Sequence, residues 1–174
     1  MKKFILDLTK DYKYARKETN SYFTPLINPN IYSIFLYRLS NFFFRYKLGI
    51  IAKFFWLINR LIFTVDIHQA SKLSGGLMLV HGFGIVIGKE VISDGNLKIY
   101  QNVTLGGNSF KTKIYNNILL HQPYCKSDVI IYSGAVVIGP IVIGTNSIIG
   151  ANSTITKSVE NNSMVVGNNK KVKT

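Results

Sequence analysis

The chain has 174 residues, enough for one domain with an appendage, and 47% of them are hydrophobic against 17% charged, which excludes a disordered polyelectrolyte. Its 21 Lys and Arg outnumber 8 Asp and Glu, but no nucleic-acid recognition motif accompanies the net charge of +13, so nucleic acid is not an expected partner. One cysteine, Cys125, excludes an intramolecular disulfide framework, and Met1-Lys2-Lys3 precedes an apolar run too short, and too soon broken by Asp7, to read as a secretory signal. A cytoplasmic protein is the expectation.

Residues 1–64 hold 11 Lys and Arg against Asp7, Asp11 and Glu18, and they carry much of the aromatic content. Their pattern predicts helices. A segment from about Asn30 to Tyr46 is aromatic-rich, with Arg38 and Arg45 in it. After it, Ile51, Phe54, Phe55, Ile58, Leu61 and Ile62 recur at helical spacing, with Lys53 and Arg60 off that stripe. Lys47, Lys53 and Arg60 keep the segment from reaching the roughly 18 apolar residues of a spanning helix. Two roles are open for it: a cap on the domain that follows, or peripheral contact at the inner face of the cytoplasmic membrane, where basic and aromatic residues meet lipid headgroups.

From Ile67 every sixth residue is aliphatic: Ile67, Leu73, Leu79, Ile85, Val91, Leu97 and Val103. A second array runs Ile131, Val137, Ile143, Ile149 and Ile155, preceded two residues earlier by Val129, Ala135, Ile141, Ser147 and Ser153. Period six fits neither an amphipathic helix nor a simple alternating strand. It fits a short strand plus a turn, three of which close a triangular coil that stacks on its neighbours through parallel ladders. The predicted fold is therefore an all-β solenoid, a left-handed parallel β-helix over residues 65–168, with an N-terminal α-helical segment (1–64) and a basic C-terminal tail (169–174). Val103 and Val129 are out of phase, so residues 106–128 are expected to leave the solenoid as one long extruded loop.

Several stretches carry a family pattern. They are Asp66-Ile67-His68, Gly76-Leu77-Met78-Leu79-Val80-His81, Gly84-Ile85-Val86-Ile87-Gly88, Gln101-Asn102-Val103-Thr104-Leu105-Gly106-Gly107 and Val165-Val166-Gly167-Asn168. Together they resemble the catalytic core of serine O-acetyltransferases, hexapeptide-repeat acyltransferases built as trimers with acetyl-CoA between neighbouring prisms. The resemblance implies His81 as general base and Asp66 as the carboxylate that orients it. A hydroxyl attacks a thioester poorly at neutral pH unless a base removes its proton, and a carboxylate on the far ring nitrogen fixes the base's tautomer. Backbone groups near Gly106, Gly107, Ala135 and Ser153 are implied to line the pantetheine arm of acetyl-CoA, with Lys157 or the Lys170–Lys173 cluster at its phosphates; no metal is implied, since His68, His81 and His121 lack a ligand spacing. His68 is expected to be structural.

The pattern departs from that family where it reads an amino acid. Val80 stands in place of an aspartate, and His121-Gln122-Pro123 in place of Arg-His-Pro. Val80, Lys111, His121 and Gln122 are therefore the expected acceptor-binding residues, and loss of both charged partners argues against free serine. The stretch Leu36-Tyr37-Arg38-Leu39-Ser40-Asn41-Phe42 and the brevity of the helical segment resemble capsule, colanic-acid and O-antigen acetyltransferases. The expected acceptor is accordingly a glycan hydroxyl of a surface polysaccharide, with serine or another small metabolite as the alternative. The expected assembly is a homotrimer or a dimer of trimers.

Overall fold

The computed structural model describes residues 1–108 and 111–167, and residues 170–172 as backbone. Four helices come first: α1 (Lys2–Thr19), α2 (Thr24–Ile27), α3 (Pro29–Arg45) and α4 (Gly49–Phe63). Asn28 caps α3, its side chain accepting from Asn30 N at 2.9 Å, and Thr64 ends α4 in the left-handed conformation (φ 53°). Among the described residues no helix is long and apolar enough to cross a membrane.

From Asp66 onward the chain winds through three sheets in turn. The first takes Asp66–Ile67, Val86–Ile87, Thr104–Gly106, Val136–Ile138 and Thr154–Ile155, all parallel. Lys72–Leu73, Ile92–Ser93, Tyr124–Cys125 and Val142–Ile143 form the second. The third stacks Leu77–Leu79, Leu97–Ile99, Val129–Ile131, Ile148–Ile149 and Met164–Val166, and Lys170–Val172 closes it antiparallel. This is the predicted solenoid of parallel sheets with N-terminal helices. One aliphatic column per sheet fills its axis, including Ile67, Ile87, Leu105, Val137 and Ile155, each 1% exposed or less.

The register differs from a uniform six-residue count in two places. Ile67 stacks on Ile87, 20 residues on, whereas Val137 stacks on Ile155, 18 residues on. The two additional residues lie at the corner Val80–Gly84, where Gly84 has a φ of +63° that a side chain would strain. Because of them, the first array joins two stacks: Ile67, Leu73 and Leu79 lie in register with Ile87, Ser93 and Ile99, not with Ile85, Val91 and Leu97. The excursion expected over 106–128 is also shorter. Gly106 still belongs to a strand, and the chain rejoins the second sheet at Tyr124–Cys125. Within the excursion Lys113–Tyr115 and Ile118–Leu120 form a hairpin, turning on Asn116 and Asn117, both at positive φ. Leu120 and Tyr115 pack on Tyr124, Val142 and Ile92, so the hairpin covers the outer face of the second sheet.

The open edge of the first coil is closed by helix side chains. Arg38 donates from Nη1 to Leu73 O (2.6 Å) and from Nη2 to Ser74 O (2.8 Å), while its Nε and Nη2 bond both oxygens of Asp11 at 2.8 and 2.9 Å. Asp11 Oδ1 also accepts from Gly76 N and Leu77 N, both at 2.8 Å. Asn41 donates to Gln69 O and Ser71 O, and Asn30 donates to Val80 O while accepting from Gly82 N. Burial works against the Arg38 charge, yet the Asp11 carboxylate holds its pKa above the ordinary value. The helices thus stand where a further coil would hydrogen-bond.

Candidate active site

His81 sits at the enlarged corner after Leu77–Leu79, exposed, in a groove lined by Asn30, Ile62, Phe63, Val80 and Phe83. Its backbone carbonyl accepts from Phe83 N (2.9 Å), which shapes the corner, and its ring lies edge-on to Tyr100 at 6.3 Å. The imidazole forms no hydrogen bond to another described residue, so both ring nitrogens are open to a ligand. Asn30 fixes the residues on either side by bonding Val80 O at 2.8 Å and Gly82 N at 3.0 Å.

Asp66 opens the coil that ends at the His81 corner; there Thr64 O accepts from Gly84 N at 3.1 Å and Asp66 N donates to Ile85 O at 2.8 Å. The backbone thus pairs Asp66 with Val86, just past the His81 corner, but the Asp66 and His81 side chains are not bonded. Instead Trp56 Nε1 donates to Asp66 Oδ1 at 2.8 Å, and Arg60 pairs with Oδ2 at 3.2 Å. Neither α4 residue was anticipated; their spacing from Asp66 shows no sequence signal, since only the packing of α4 brings them near. His68 Nδ1 accepts from Ala70 N at 3.1 Å, and burial followed by the Lys89 charge lowers its pKa.

A second groove gathers Glu90, Gly107, Asn108, Lys111, His121 and Gln122. Three expected acceptor residues, Lys111, His121 and Gln122, therefore stand together, apart from Val80 and His81. Gln122 is already engaged: its Oε1 accepts from Glu90 N at 3.0 Å, tying the excursion to the coil beneath. Glu90 was not foreseen, because the hairpin alone carries Lys111 and His121 to its side.

Of the expected cofactor residues, Gly107 borders this groove and Gly106 pairs with Ile138, whose Cδ1 would lie 3.3 Å from a Cβ at Gly106. Lys157 is exposed, and the Lys170–Lys173 cluster lies outside the described side chains. Ala135 and Ser153 can offer a cofactor site only backbone groups of their vicinity, because their side chains face the core. Both are wholly buried, Ala135 in the aliphatic core with its carbonyl accepting from Thr104 N, and Ser153 with its hydroxyl accepting from Gly167 N and its carbonyl from Val136 N. Their period-six phase points them inward, away from any groove. Among the described residues no cluster of His, Cys, Asp and Glu stands where it could hold a metal ion.

Cys125 is fully buried, and burial pushes its thiol up to about 12. At pH 8 almost none is thiolate, so iodoacetamide should leave the native protein unmodified and label it only after unfolding, as intact mass will register. Rapid labelling of folded protein would contradict this burial.

The coil of three parallel sheets on a six-residue period is that of a hexapeptide-repeat transferase, and the family model described as "Bacterial transferase hexapeptide (six repeats)" matches residues 123–157. The chain belongs to the serine acetyltransferase family. It is 31% identical over 172 residues to the serine acetyltransferase of Helicobacter pylori, covering 96% of each chain. A plasmid-borne serine acetyltransferase of Synechococcus elongatus is 32% identical over 140 residues, 79% of this chain. Of longer relatives the chain spans only part: 44% of that Synechococcus protein and 62% of a Buchnera aphidicola one. Among solved structures, a serine acetyltransferase in complex with CoA superposes with a TM-score of 0.85 at 27% identity, over 97% of this chain and 69% of that one. The Neisseria gonorrhoeae enzyme in complex with serine gives 0.85 at 29%, over 98% and 69%.

These matches overturn the expectation of a polysaccharide acetyltransferase acting on a glycan. That expectation rested on Val80 and His121-Gln122-Pro123 in place of an aspartate and Arg-His-Pro, on the Leu36–Phe42 stretch and on the brevity of the helical segment. The Helicobacter pylori relative aligns across that segment and is of similar length, so a short helical segment lies within the serine acetyltransferase family.

Proposed function

We propose that the chain is an acetyl-CoA-dependent O-acetyltransferase acting on serine. The alignment with the Helicobacter pylori serine acetyltransferase along 96% of both chains carries this reading. His81 removes the proton from the serine hydroxyl as the oxygen attacks the thioester carbonyl. Collapse of the tetrahedral intermediate breaks the carbon–sulfur bond, and the imidazolium returns its proton to the departing CoA sulfur. The product pair is O-acetylserine and CoA. Asp66, which opens the coil that ends at the His81 corner, turns from Trp56 and Arg60 to orient the imidazole.

The groove of His81 and the groove of Lys111 share no lining residue. A site with base, acceptor pocket and pantetheine channel is therefore composed from two subunits of a trimer of left-handed prisms. Gly106 and Gly107 flank the acetyl-CoA arm, with Lys157 toward its phosphates. The donor places the reaction in the cytoplasm.

With Val80 apolar and Gln122 engaged by Glu90 N, charge recognition of serine falls to other groups. Glu90 takes the ammonium and Lys111 the carboxylate, with His121 beside them. Lys111→Ala should raise the KM for serine about tenfold or more and leave the KM for acetyl-CoA unchanged in steady-state assays, since it removes one charge-assisted hydrogen bond. The reading as a whole is tested by thiol release from acetyl-CoA with L-serine and a panel of hydroxylated metabolites, the product identified by mass. Serine should be the fastest acceptor. Turnover with another small metabolite but none with serine would reassign the acceptor, and that reading is favoured by the apolar Val80.

A further inference from the structure

Helix α4 is apolar on both faces: Phe55 stacks on Phe43 and Phe63 packs on the core, yet a second apolar row faces outward. Its inner face carries Ala52 and Asn59, both buried. There Asn59 exchanges hydrogen bonds with Ser33, accepting from its hydroxyl at 2.8 Å and donating to its carbonyl at 3.1 Å. Ser40 donates to Ala52 O at 2.7 Å, a second polar tie on the same side. The outer face holds Ile50, Phe54, Leu57 and Leu61, spaced i, i+4, i+7 and i+11, with exposures of 89%, 58%, 45% and 72%. Ile51 and Ile62 lie beside that row, also exposed. An ordinary surface helix turns such a stripe to the core and its polar residues to water. Here the apolar stripe is contiguous and uncovered, which marks a surface built to meet something else.

Charge identifies what it meets. Residues 19–65 contain no Asp or Glu. Arg45 and Lys47 at the junction of α3 and α4, and Lys53 within α4, are exposed. A two-fold contact between copies through this face would set these cations against the same cations with no acid from the segment to offset them. An anionic lipid surface supplies both an apolar layer for the stripe and negative headgroups for its flanks. At 15 residues α4 is about 22 Å long, short of a hydrocarbon core of about 30 Å, and Lys53 and Arg60 interrupt it, so it lies along a bilayer and does not cross one.

We propose that α4 is an interfacial helix that seats the protein on an anionic membrane surface, its Ile50–Phe54–Leu57–Leu61 row inserted at the level of the headgroups and Arg45, Lys47 and Lys53 against lipid phosphates. This is independent of the acceptor and of the acetyl transfer itself.

Flotation of the full chain with vesicles of phosphatidylcholine, with and without phosphatidylglycerol, tests it. Wild-type protein should float with the anionic vesicles at low salt, and far less at high salt or with phosphatidylcholine alone. Leu57→Glu with Leu61→Glu should lower partitioning about tenfold or more, with far-UV circular dichroism unchanged because both side chains already face solvent. Lys47→Glu with Lys53→Glu should lower binding at low salt and flatten its salt dependence. Protein that stays at the bottom with every vesicle at low salt overturns the proposal. So does a Leu57→Glu/Leu61→Glu protein that floats as before but is a smaller oligomer by light scattering, which would make the stripe a contact between copies.

Discussion

His81→Ala should lower kcat/KM with acetyl-CoA and serine by about 10²–10⁴-fold, the loss expected when a general base is removed. That corresponds to about 3–5 kcal/mol of transition-state stabilisation. The fold should survive, because the imidazole is exposed, bonds no other described residue and touches Tyr100 only edge-on. Removing it opens no cavity and orphans no buried donor. The corner itself is held by backbone groups and Asn30, which the substitution leaves in place. Acetyl-CoA affinity by calorimetry should stay near that of the parent protein, which separates a chemical defect from a misfolded one. Asp66→Asn should fall between the two, since the amide oxygen still accepts from Trp56 while the orienting charge is gone. Retention of activity within about threefold in His81→Ala would remove His81 from the chemistry.

The largest loss of stability should come from Asp11→Ala. Asp11 is 1% exposed and Arg38 3%, and the two carboxylate oxygens together accept from the guanidinium and from Gly76 N and Leu77 N. Truncation leaves a buried guanidinium with only Asp7, at 3.9 Å, as a carboxylate partner, and two backbone donors without an acceptor. Breaking a buried pair in this way costs about 3–5 kcal/mol. For a chain of this length each kcal/mol is worth about 2–4 °C, so the unfolding midpoint should fall by about 6–20 °C in a calorimetric scan. Lys3→Ala is the control. It also removes an ion pair, to Asp7 at 2.6 Å, but the Lys3 side chain is 53% exposed, and such pairs contribute at most about 1 kcal/mol. Equal midpoints for the two variants would show that the Arg38 network is not what fastens the helices to the first coil.

The solenoid was legible because a stacked coil imposes one period on every inward position. Ile131, Val137, Ile143, Ile149 and Ile155 are a single continuous run of core positions, and the sequence spacing found all five. The run from Ile67 was also aliphatic throughout, yet it crossed the enlarged corner at Val80–Gly84 without showing it. Positions two residues apart on a strand both point inward, so a two-residue shift leaves the hydrophobic pattern intact. The hairpin was missed although Asn116-Asn117 between Ile114-Tyr115 and Ile118-Leu119-Leu120 is a turn signal. Its apolar residues cover an outer sheet face, a layer that a repeat pattern does not encode. For α4, helical spacing revealed a stripe but not which way it faces. That is decided by the Asn59–Ser33 pair, visible only once α3 and α4 lie side by side.

His81 stood out as a candidate through its flanking pattern, whereas the neighbours of the other candidate residues did not. Trp56 and Arg60 reach Asp66 by helix packing, and Glu90 reaches Lys111 by the return of the hairpin. Ala135 and Ser153 fall within the repeat, and the repeat places their side chains inside. The polysaccharide expectation failed because the brevity of residues 1–64 does not distinguish one acceptor class from another.

The helix side chains on the first coil have a consequence for how the molecule behaves in a crowd. A parallel solenoid is a staircase whose lowest step presents unpaired N–H and C=O groups, a template onto which the top of another molecule could add, and then another, into a filament. Side chains of Asp11, Asn30, Arg38 and Asn41 occupy that step group by group, and they do so with geometry that no incoming strand can share. Because these residues belong to α1 and α3, they leave the ribosome before the strands they cover, so the vulnerable edge meets its cover as soon as it forms.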